Sequence, residues 1–195
     1  MLRFGTSICP INRAPERSVL VIWGKLILGD HIIVNPLSII QIQEHGVLEI
    51  GNSVYIGPNT KIVASNHITI QSDTSISWEC QIFDTDFHYL LNTKTSEIKI
   101  NKGPIFIGHS CWIGNRVTIN KNTKLPNYSI VACNSLLNKD FGQNEQIVVG
   151  GIPAKIIYTD VKRVFDLNTE SMLNNYFLSS NNTSHLNYDV WHATS

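Results

Sequence analysis

Two aspartates and a histidine alternate along one short polar segment, as Asp84, Asp86 and His88. A neutral imidazole titrates near physiological pH and can take a proton from a hydroxyl or an amine, so His88 is a candidate general base. A carboxylate that accepts the other ring N–H fixes the tautomer and raises the basicity; either aspartate could do this, or bind substrate hydroxyls instead. The alternative for His88 is a loop histidine that is exposed to solvent and has no chemical role.

The rest of the chain, which must position these side chains, follows a period of six residues. A helix needs apolar positions at three- and four-residue spacings and a strand needs simple alternation, so neither fits. A hexad fits an all-β fold, the parallel β-helix, whose triangular coils have three short faces with the aliphatic residue pointing inward. The aliphatic positions are Ile50, Ile56, Ile62, Ile70, Ile76, Ile82, Ile107, Ile113, Ile119, Leu125, Val131 and Leu137, and the same rule extended towards the start gives Val21, Ile27, Ile33 and Ile39.

Small residues and glycines recur at two other positions of the hexad. We expect the small residues to fill the space beside each corner. They are Val54, Thr60, Thr74, Cys80, Cys111, Val117, Thr123 and Ser129. Glycine follows the inward aliphatic residue at Gly51, Gly57, Gly108 and Gly114, where we expect a tight corner to need its backbone freedom.

The hexads predict one β-helix domain over residues 18–158, interrupted by an inserted loop over residues 83–104. His88 lies near the start of this loop, and loops on a rigid scaffold often carry catalytic groups. Each coil buries its apolar residues only against its neighbours, so both ends of a β-helix need caps. Residues 1–17 are the expected cap of the first coil.

Residues 159–195 are expected to form a short C-terminal tail. Val161–Leu167 fits a helical or extended closing segment, and the Asn- and Ser-rich stretch Ser179–Ser184 is typical of flexible chain. The last aromatic and histidine residues are candidates to dock on a neighbouring subunit. They are Tyr188, Trp191 and His192.

Composition limits the partners and the compartment. Lys and Arg together number 15, as do Asp and Glu, so no net charge steers the protein towards nucleic acid or a membrane surface. Cys9, Cys80, Cys111 and Cys133 lack the spacings of zinc, redox or haem sites, which favours free thiols in a reducing compartment. The apolar stretch Ser18–Val34 is interrupted too often for a membrane span. We therefore expect a cytoplasmic protein without a nucleic-acid partner.

Three segments in the second half of the chain resemble motifs of a known family. Residues 111–115 read Cys-Trp-Ile-Gly-Asn, residues 131–140 read Val-Ala-Cys-Asn-Ser-Leu-Leu-Asn-Lys-Asp, and residues 149–157 read Val-Gly-Gly-Ile-Pro-Ala-Lys-Ile-Ile. In this order they resemble the WIG, AAGSVVTKD and VGGxPAKxI coils of the hexapeptide-repeat acyltransferases, whose fold is a left-handed β-helix. The resemblance covers about residues 20–158. The sequence Asp-Thr-Asp-Phe-His at 84–88 is similar to the branch that acetylates sugars of capsule, O-antigen and other surface polysaccharides.

This resemblance implies an acetyl-CoA-dependent acetyltransferase with His88 as the catalytic base. The acetyl group would move from the thioester to a hydroxyl of a sugar, in a glycan or its precursor. The two lysines among the matching coenzyme positions would hold the phosphates, which require compact positive charge. These positions are Asn115, through its backbone N–H, Cys133, Asn138, Lys139 and Lys155.

The resemblance also implies a homotrimer with active sites between subunits, a closed cyclic assembly. Two tryptophans each have two interpretations. Trp112 packs at the subunit contact near the coenzyme, or it is a structural aromatic residue. Trp78 stacks on a sugar ring, or it fills a corner of the coil.

Three other functions stay open. The same fold and coenzyme serve nucleotide-sugar N-acetyltransferases, a β-helix can be a non-catalytic trimeric scaffold, and the related β-helix carbonic anhydrases bind zinc through three histidines. Those enzymes have a close histidine pair, whereas His31, His45, His67 and His109 are far apart in the sequence. We therefore expect no metal site, and place these histidines at corners or interfaces.

Overall fold

The computed structural model describes residues 1–4, 17–179 and 185–188 of the 195-residue chain. Two compact units are present, Met1–Arg163 and Val164–Ser195. The described part of the first unit is built from short β-strands, and that of the second contains one helix. No helix among the described residues has the length and hydropathy to cross a membrane.

Short strands follow one another along the first unit, with one long interruption after residue 83. Before it lie β1 (Leu2–Phe4), β2 (Val19–Ile22), β3 (Lys25–Leu28), β4 (Ile32–Val34), β5 (Ile39–Ile42), β6 (Val47–Ile50), β7 (Tyr55–Ile56), β8 (Lys61–Ala64), β9 (His67–Ile70), β10 (Ser75–Ile76) and β11 (Gln81–Phe83). The interruption carries an antiparallel hairpin of β12 (Leu91–Asn92) and β13 (Glu97–Ile98). After it lie β14 (Ile105–Ile107), β15 (Trp112–Ile113), β16 (Thr118–Asn120), β17 (Lys124–Leu125), β18 (Ile130–Val131), β19 (Leu136–Leu137), β20 (Val148–Gly151) and β21 (Ala154–Tyr158).

These strands form three sheets, which are the faces of a triangular coil. The first face contains β1, β4, β7, β10, β15, β18, β20 and β21; the second contains β2, β5, β8, β11, β16 and β19; and the third contains β3, β6, β9, β14 and β17. The chain visits the faces in turn and pairs in parallel with the preceding coil, so the predicted parallel β-helix is confirmed. We name the turns from the first to the second face the first corner, and those from the second to the third face the second corner.

The predicted core is confirmed from Ile50 onward. All twelve aliphatic positions of the two hexad blocks are at most 3% exposed, and the small corner residues are buried as well. Several small residues also bond a carbonyl of the adjacent coil: Thr74 Oγ1 donates to Gly108 O at 2.9 Å, and Cys80 Sγ to Gly114 O at 3.2 Å. Burial raises the pKa of the Cys80 thiol to about 11, which keeps it uncharged.

The extension of the six-residue period towards the start of the chain is wrong by one residue. Val21, Ile27, Ile33 and Ile39 lie on the outer surface, and Ile39 pairs with Lys61 of the next coil. Early coils are longer than the ideal: Ile40 lies beside Ile62, 22 residues later, whereas Ile119 lies beside Leu137, 18 residues later. A one-residue slip moves every side chain of a strand to the opposite side. The buried positions are instead Ile32, Val34, Ile40 and Ile42.

The corner glycines are needed for space between coils, not for backbone freedom. A Cβ on Gly57 would lie 2.5 Å from the carbonyl carbon of Ser77 in the next coil, closer than any real contact. The left-handed backbone conformation falls on other residues of the corners, such as Asn59 with φ of 56° and Arg116 with φ of 57°. The predicted reason for these glycines was therefore wrong, although the predicted corners are correct.

The second unit contains a helix, α1 (Leu167–Ser179), that the sequence interpretation missed. The carboxylate of Asp166 accepts the backbone N–H of Thr169 at 2.8 Å, a helix N-cap that was a readable signal. Only Ser179 of the predicted flexible stretch is described, and it ends the helix. Trp191 and His192 lie outside the described residues, as does Cys9 and most of the expected N-terminal cap. The domain boundaries at 17 and 158 stay predictions.

The origin of the glycine requirement can be tested with two substitutions at one corner. Gly57→Ala should lower the free energy of unfolding by about 1–3 kcal/mol, because the added carbon meets backbone that cannot move aside. Asn59→Gly should change it by less than about 1 kcal/mol, because glycine adopts positive φ readily. Chemical denaturation followed by circular dichroism measures both. Equal effects, or a larger loss for Asn59→Gly, would contradict the close-approach explanation.

Candidate active site

The chain leaves the coil for a long excursion at the second corner, between β11 and β14. The base of this loop is closed by backbone pairing: Thr85 and Lys102 form an antiparallel bridge, and Asp86 N–H donates to Asn101 O at 2.8 Å. The hairpin of β12 and β13 lies beyond this base. The predicted loop is therefore a compact projection with fixed ends.

A strained turn presents His88 at the start of this projection. His88 N–H donates to the Asp86 carbonyl at 2.7 Å, which makes Asp86, Phe87 and His88 a three-residue turn. Phe87 has φ of 63°, an unfavourable conformation for a bulky residue that recurs at corners of the coil, for example at Tyr128 with φ of 56°. The Thr85 hydroxyl accepts the Phe87 N–H at 3.0 Å, and the Phe83 ring packs edge-on against the Phe87 ring. Local contacts thus hold an unfavourable conformation directly before the histidine.

The imidazole of His88 is exposed and makes no hydrogen bond or ion pair within the described part of the chain. It lines a cleft of about 330 Å³ between the hairpin and the coil, together with Asp86, Lys99 and Lys121. An imidazole with both nitrogens available beside an open cleft can accept a proton from a bound ligand. The general-base role of His88 stays a prediction from the sequence.

Asp84 does not fit either role predicted for it, orienting His88 or binding a sugar. Its side chain is fully buried, and its two oxygens accept the backbone N–H groups of Ser65 at 2.6 Å and Asn66 at 2.8 Å in the preceding coil. Burial raises the pKa of Asp84, while these N–H groups and the charge of Lys102 act in the opposite direction. Asp84 therefore fastens the loop base to the coil beneath.

Asp86 lies beside His88 in the cleft, but its carboxylate pairs with another residue. Asp86 Oδ2 is 2.6 Å from Lys121 Nζ, and no described contact joins it to the imidazole. The predicted carboxylate support for His88 is thus replaced by support through the backbone turn. Sequence reasoning missed Lys121, which comes just after β16 and looks there like an ordinary surface lysine.

The first corner holds three of the predicted ligand-binding residues in successive coils, namely Trp78, Asn115 and Cys133. Trp78 is 48% exposed, and its carbonyl accepts the Arg116 N–H at 3.1 Å. The backbone N–H groups of Asn115 and Cys133 bond no other described residue, so both can serve a ligand. Cys133 is an exposed free thiol.

The other predicted coenzyme residues are dispersed over the molecule. Trp112 lies on the first face, 40% exposed, with the Arg163 guanidinium 5.4 Å from its ring centre. Asn138 and Lys139 follow β19 at the second corner, the corner that also carries His88. Lys155 is exposed on β21. One chain therefore does not bring all of these residues to a single site.

A larger cleft of about 480 Å³ lies along the third face and includes Glu49 and His109. His109 is already engaged, with Nδ1 3.5 Å from Asp73 Oδ2 and Nε2 3.0 Å from Ser110 Oγ. His67 likewise pairs with Glu49 at 3.2 Å. Neither imidazole is as available as that of His88. Among the described residues, no three His, Cys, Asp or Glu side chains are grouped as a metal would require.

Comparison with known proteins identifies relatives of this chain. No family model matches the chain. It is 31% identical over 155 residues to an uncharacterized 24.8 kDa protein in the cps region of Klebsiella pneumoniae, covering 80% of this chain and 64% of that protein. It is 27% identical over 110 residues to the galactoside O-acetyltransferase of Escherichia coli K12, covering 56% of this chain and 53% of the enzyme. The chain thus spans less than two thirds of either relative.

A solved structure extends the likeness to three dimensions. The hexapeptide-repeat-containing acetyltransferase of Vibrio cholerae, complexed with acetyl-CoA, superimposes with a TM-score of 0.57 at 27% identity, over 67% of this chain and 69% of that one. The predicted left-handed β-helix is confirmed, and so is the resemblance to hexapeptide-repeat acyltransferases.

The structural role of Asp84 can be tested with Asp84→Asn. The amide group would turn a donor towards a backbone N–H, so the free energy of unfolding should fall by about 1–3 kcal/mol. Asp140→Asn is the matched control, because this exposed aspartate accepts one N–H, from Gly142, that asparagine can keep accepting. Thermal or urea unfolding measures both. If Asp84→Asn left stability unchanged and abolished turnover, the structural role would be wrong and a catalytic role for Asp84 would be favoured.

Proposed function

We propose that this protein transfers an acetyl group from acetyl-CoA to a hydroxyl of a sugar in a surface polysaccharide or its precursor, with His88 as the general base. The observation that carries the proposal is the free imidazole of His88, held by a strained turn beside an open cleft. The O-acetyltransferase relative and the acetyl-CoA in the Vibrio structure support the reaction type. The Klebsiella relative, from a cps region, supports the substrate class.

The proposed step needs no covalent enzyme intermediate. A ring nitrogen of His88 takes the proton of the acceptor hydroxyl as its oxygen attacks the thioester carbonyl carbon. Backbone N–H groups stabilise the oxyanion that forms, and the carbon–sulfur bond then breaks. The imidazolium returns its proton to the leaving thiolate. The products are the acetyl ester of the sugar and coenzyme A, and the histidine is neutral again.

The cleft beside His88 combines aliphatic side chains, those of Leu90, Leu91 and Ile100, with both signs of charge. Asp86 and Glu97 contribute carboxylates, and Lys99 and Lys121 contribute ammonium groups. Such a surface offers donors and acceptors in balance, which suits the hydroxyl groups of a sugar. Asn101 lies at its base, 7% exposed, and its side-chain oxygen has no partner among the described residues.

The coenzyme site is proposed to form between subunits of a homotrimer. The N–H groups of Asn115 and Cys133 would meet the thioester and the pantetheine arm, and Lys139 and Lys155 would meet the phosphates. Trp112 is on the first face and His88 at the opposite corner, so a neighbouring subunit is needed to complete a site containing both. Acetyl-CoA chemistry and the unpaired thiols of the described cysteines favour the cytoplasm as the compartment.

The catalytic role of His88 is tested by His88→Ala. With acetyl-CoA and a panel of sugars and nucleotide sugars, release of coenzyme A should fall by about 10²–10⁴-fold, while acetyl-CoA binding measured by calorimetry should persist. His45→Ala is the control, because His45 is an exposed corner histidine. Cleavage of the product by hydroxylamine separates an ester from an amide and so distinguishes O- from N-acetylation. Full turnover in His88→Ala would contradict the role of His88 as general base. Failure of the wild type to bind acetyl-CoA would favour a non-catalytic scaffold.

The shared site is tested by mixing two inactive variants, His88→Ala and Trp112→Ala. In random mixed trimers about one site in four would receive both intact residues, so about a quarter of the wild-type activity should return. Light scattering should give three chains per particle. A mixture as inactive as its parents, with confirmed exchange of subunits, would contradict a site between subunits.

A further inference from the structure

We infer that Lys121 is a positioning residue for His88, acting as a clamp that joins the two limbs of the inserted loop. The inference rests on the proposed function for its catalytic consequence. Lys121 lies outside the sequence motifs described above. The inference is drawn from the contacts of one side chain with residues at both ends of the loop.

The ammonium group of Lys121 contacts one residue on each limb. On the outgoing limb, Nζ lies 2.6 Å from Asp86 Oδ2. On the returning limb, Nζ donates to the carbonyl oxygen of Ile100 at 3.2 Å. The lysine side chain is only 21% exposed and that of Asp86 38% exposed, so solvent screens this pair less than an ordinary surface ion pair.

Lys121 is well placed for this task because it belongs to the rigid coil and not to the loop. It follows β16 directly, and Asn120 at the end of β16 pairs with Phe83 at the end of β11. The lysine therefore stands one coil beyond the point at which the loop departs. A lysine fixed in the scaffold can therefore hold the projecting loop in a defined position relative to the coil.

The effect reaches His88 through Asp86, which is held at three points. Its carboxylate contacts Lys121, its N–H donates to Asn101 O, and its carbonyl accepts the N–H of His88. Phe87, between the two residues, has a positive φ that relaxes if its neighbours are released. Because small displacements of a catalytic group can cost two orders of magnitude in rate, loosening Asp86 should misplace the imidazole.

The charge of Lys121 also keeps the Asp86 carboxylate from binding the imidazole of His88 in place of a ligand. With its oxygen 2.6 Å from the ammonium group, the carboxylate forms an ion pair with Lys121, and both ring nitrogens of His88 stay available to ligands. The other cations near the loop do not duplicate this function. Lys99 lines the cleft without a described contact to Asp86, and Lys102 acts on Asp84.

The decisive comparison is Lys121→Met, which keeps the apolar stem and removes the charge, against Lys121→Arg, which retains it. Hydrogen exchange should show the amides of Asp86 and His88 exchanging about tenfold faster or more in the methionine variant, and near the wild-type rate in the arginine variant. Lys124→Met is the control, a lysine of the third face for which no side-chain contact is described. Unchanged exchange of residues 85–101 in Lys121→Met would overturn the clamp.

Kinetics separate positioning from general support of the fold. Lys121→Met should lower kcat by about tenfold or more with little change in KM for acetyl-CoA, and Lys121→Arg should restore most of kcat. Adding Asp86→Asn to Lys121→Met should lower kcat little further, because both substitutions remove the same contact. Faster exchange with unchanged kcat would overturn the positioning role. If the wild type acetylates nothing, the proposed function fails, and the exchange experiment alone decides whether Lys121 holds the loop.

Discussion

Backbone hydrogen bonds between successive coils are the constraint on which the structure depends. Each strand bonds the strand one coil before it and one coil after it, so every coil must repeat the path of its neighbours at the spacing of a β-ladder, about 4.8 Å. Close stacking leaves no room for a Cβ at Gly57, and the corners require left-handed backbone at residues such as Asn59. Buried threonines and cysteines at the corners then satisfy carbonyls that the ladders leave unpaired.

The same constraint allows an unusual backbone path only where the regular coil is interrupted. Side chains inside the coil are apolar or bonded to backbone, and the faces are regular, so a catalytic group needs an excursion to gain an unusual geometry. The loop at the second corner is such an excursion. Backbone N–H groups of the preceding coil bind the carboxylate of Asp84, and Lys121 of the following coil forms an ion pair with Asp86. Between these anchors the strained turn at Phe87 directs His88 to the cleft.

Much of this fold was predictable from the six-residue period, because each hexad places one aliphatic residue in the interior and so marks one face of a coil. The prediction failed where coils lengthen: extra corner residues between β5 and β6 shift the phase, and Ile39, which precedes them, faces outward. The position of His88 in an inserted loop was predictable, since it stands where the period stops. The roles of Asp84 and Lys121 were not, because they depend on residues in adjacent coils, Ser65 and Asp86, that are distant in the sequence.

The most direct test of the account is an experimental structure of the protein with coenzyme A. We expect the coenzyme sulfur within about 3–4 Å of the His88 imidazole, a hydrogen-bonding contact for sulfur, with the pantetheine arm on the backbone N–H groups of Asn115 and Cys133. In a trimer these would come from the neighbouring subunit. A coenzyme held on the third face near His109, or with its sulfur far from His88, would contradict the account.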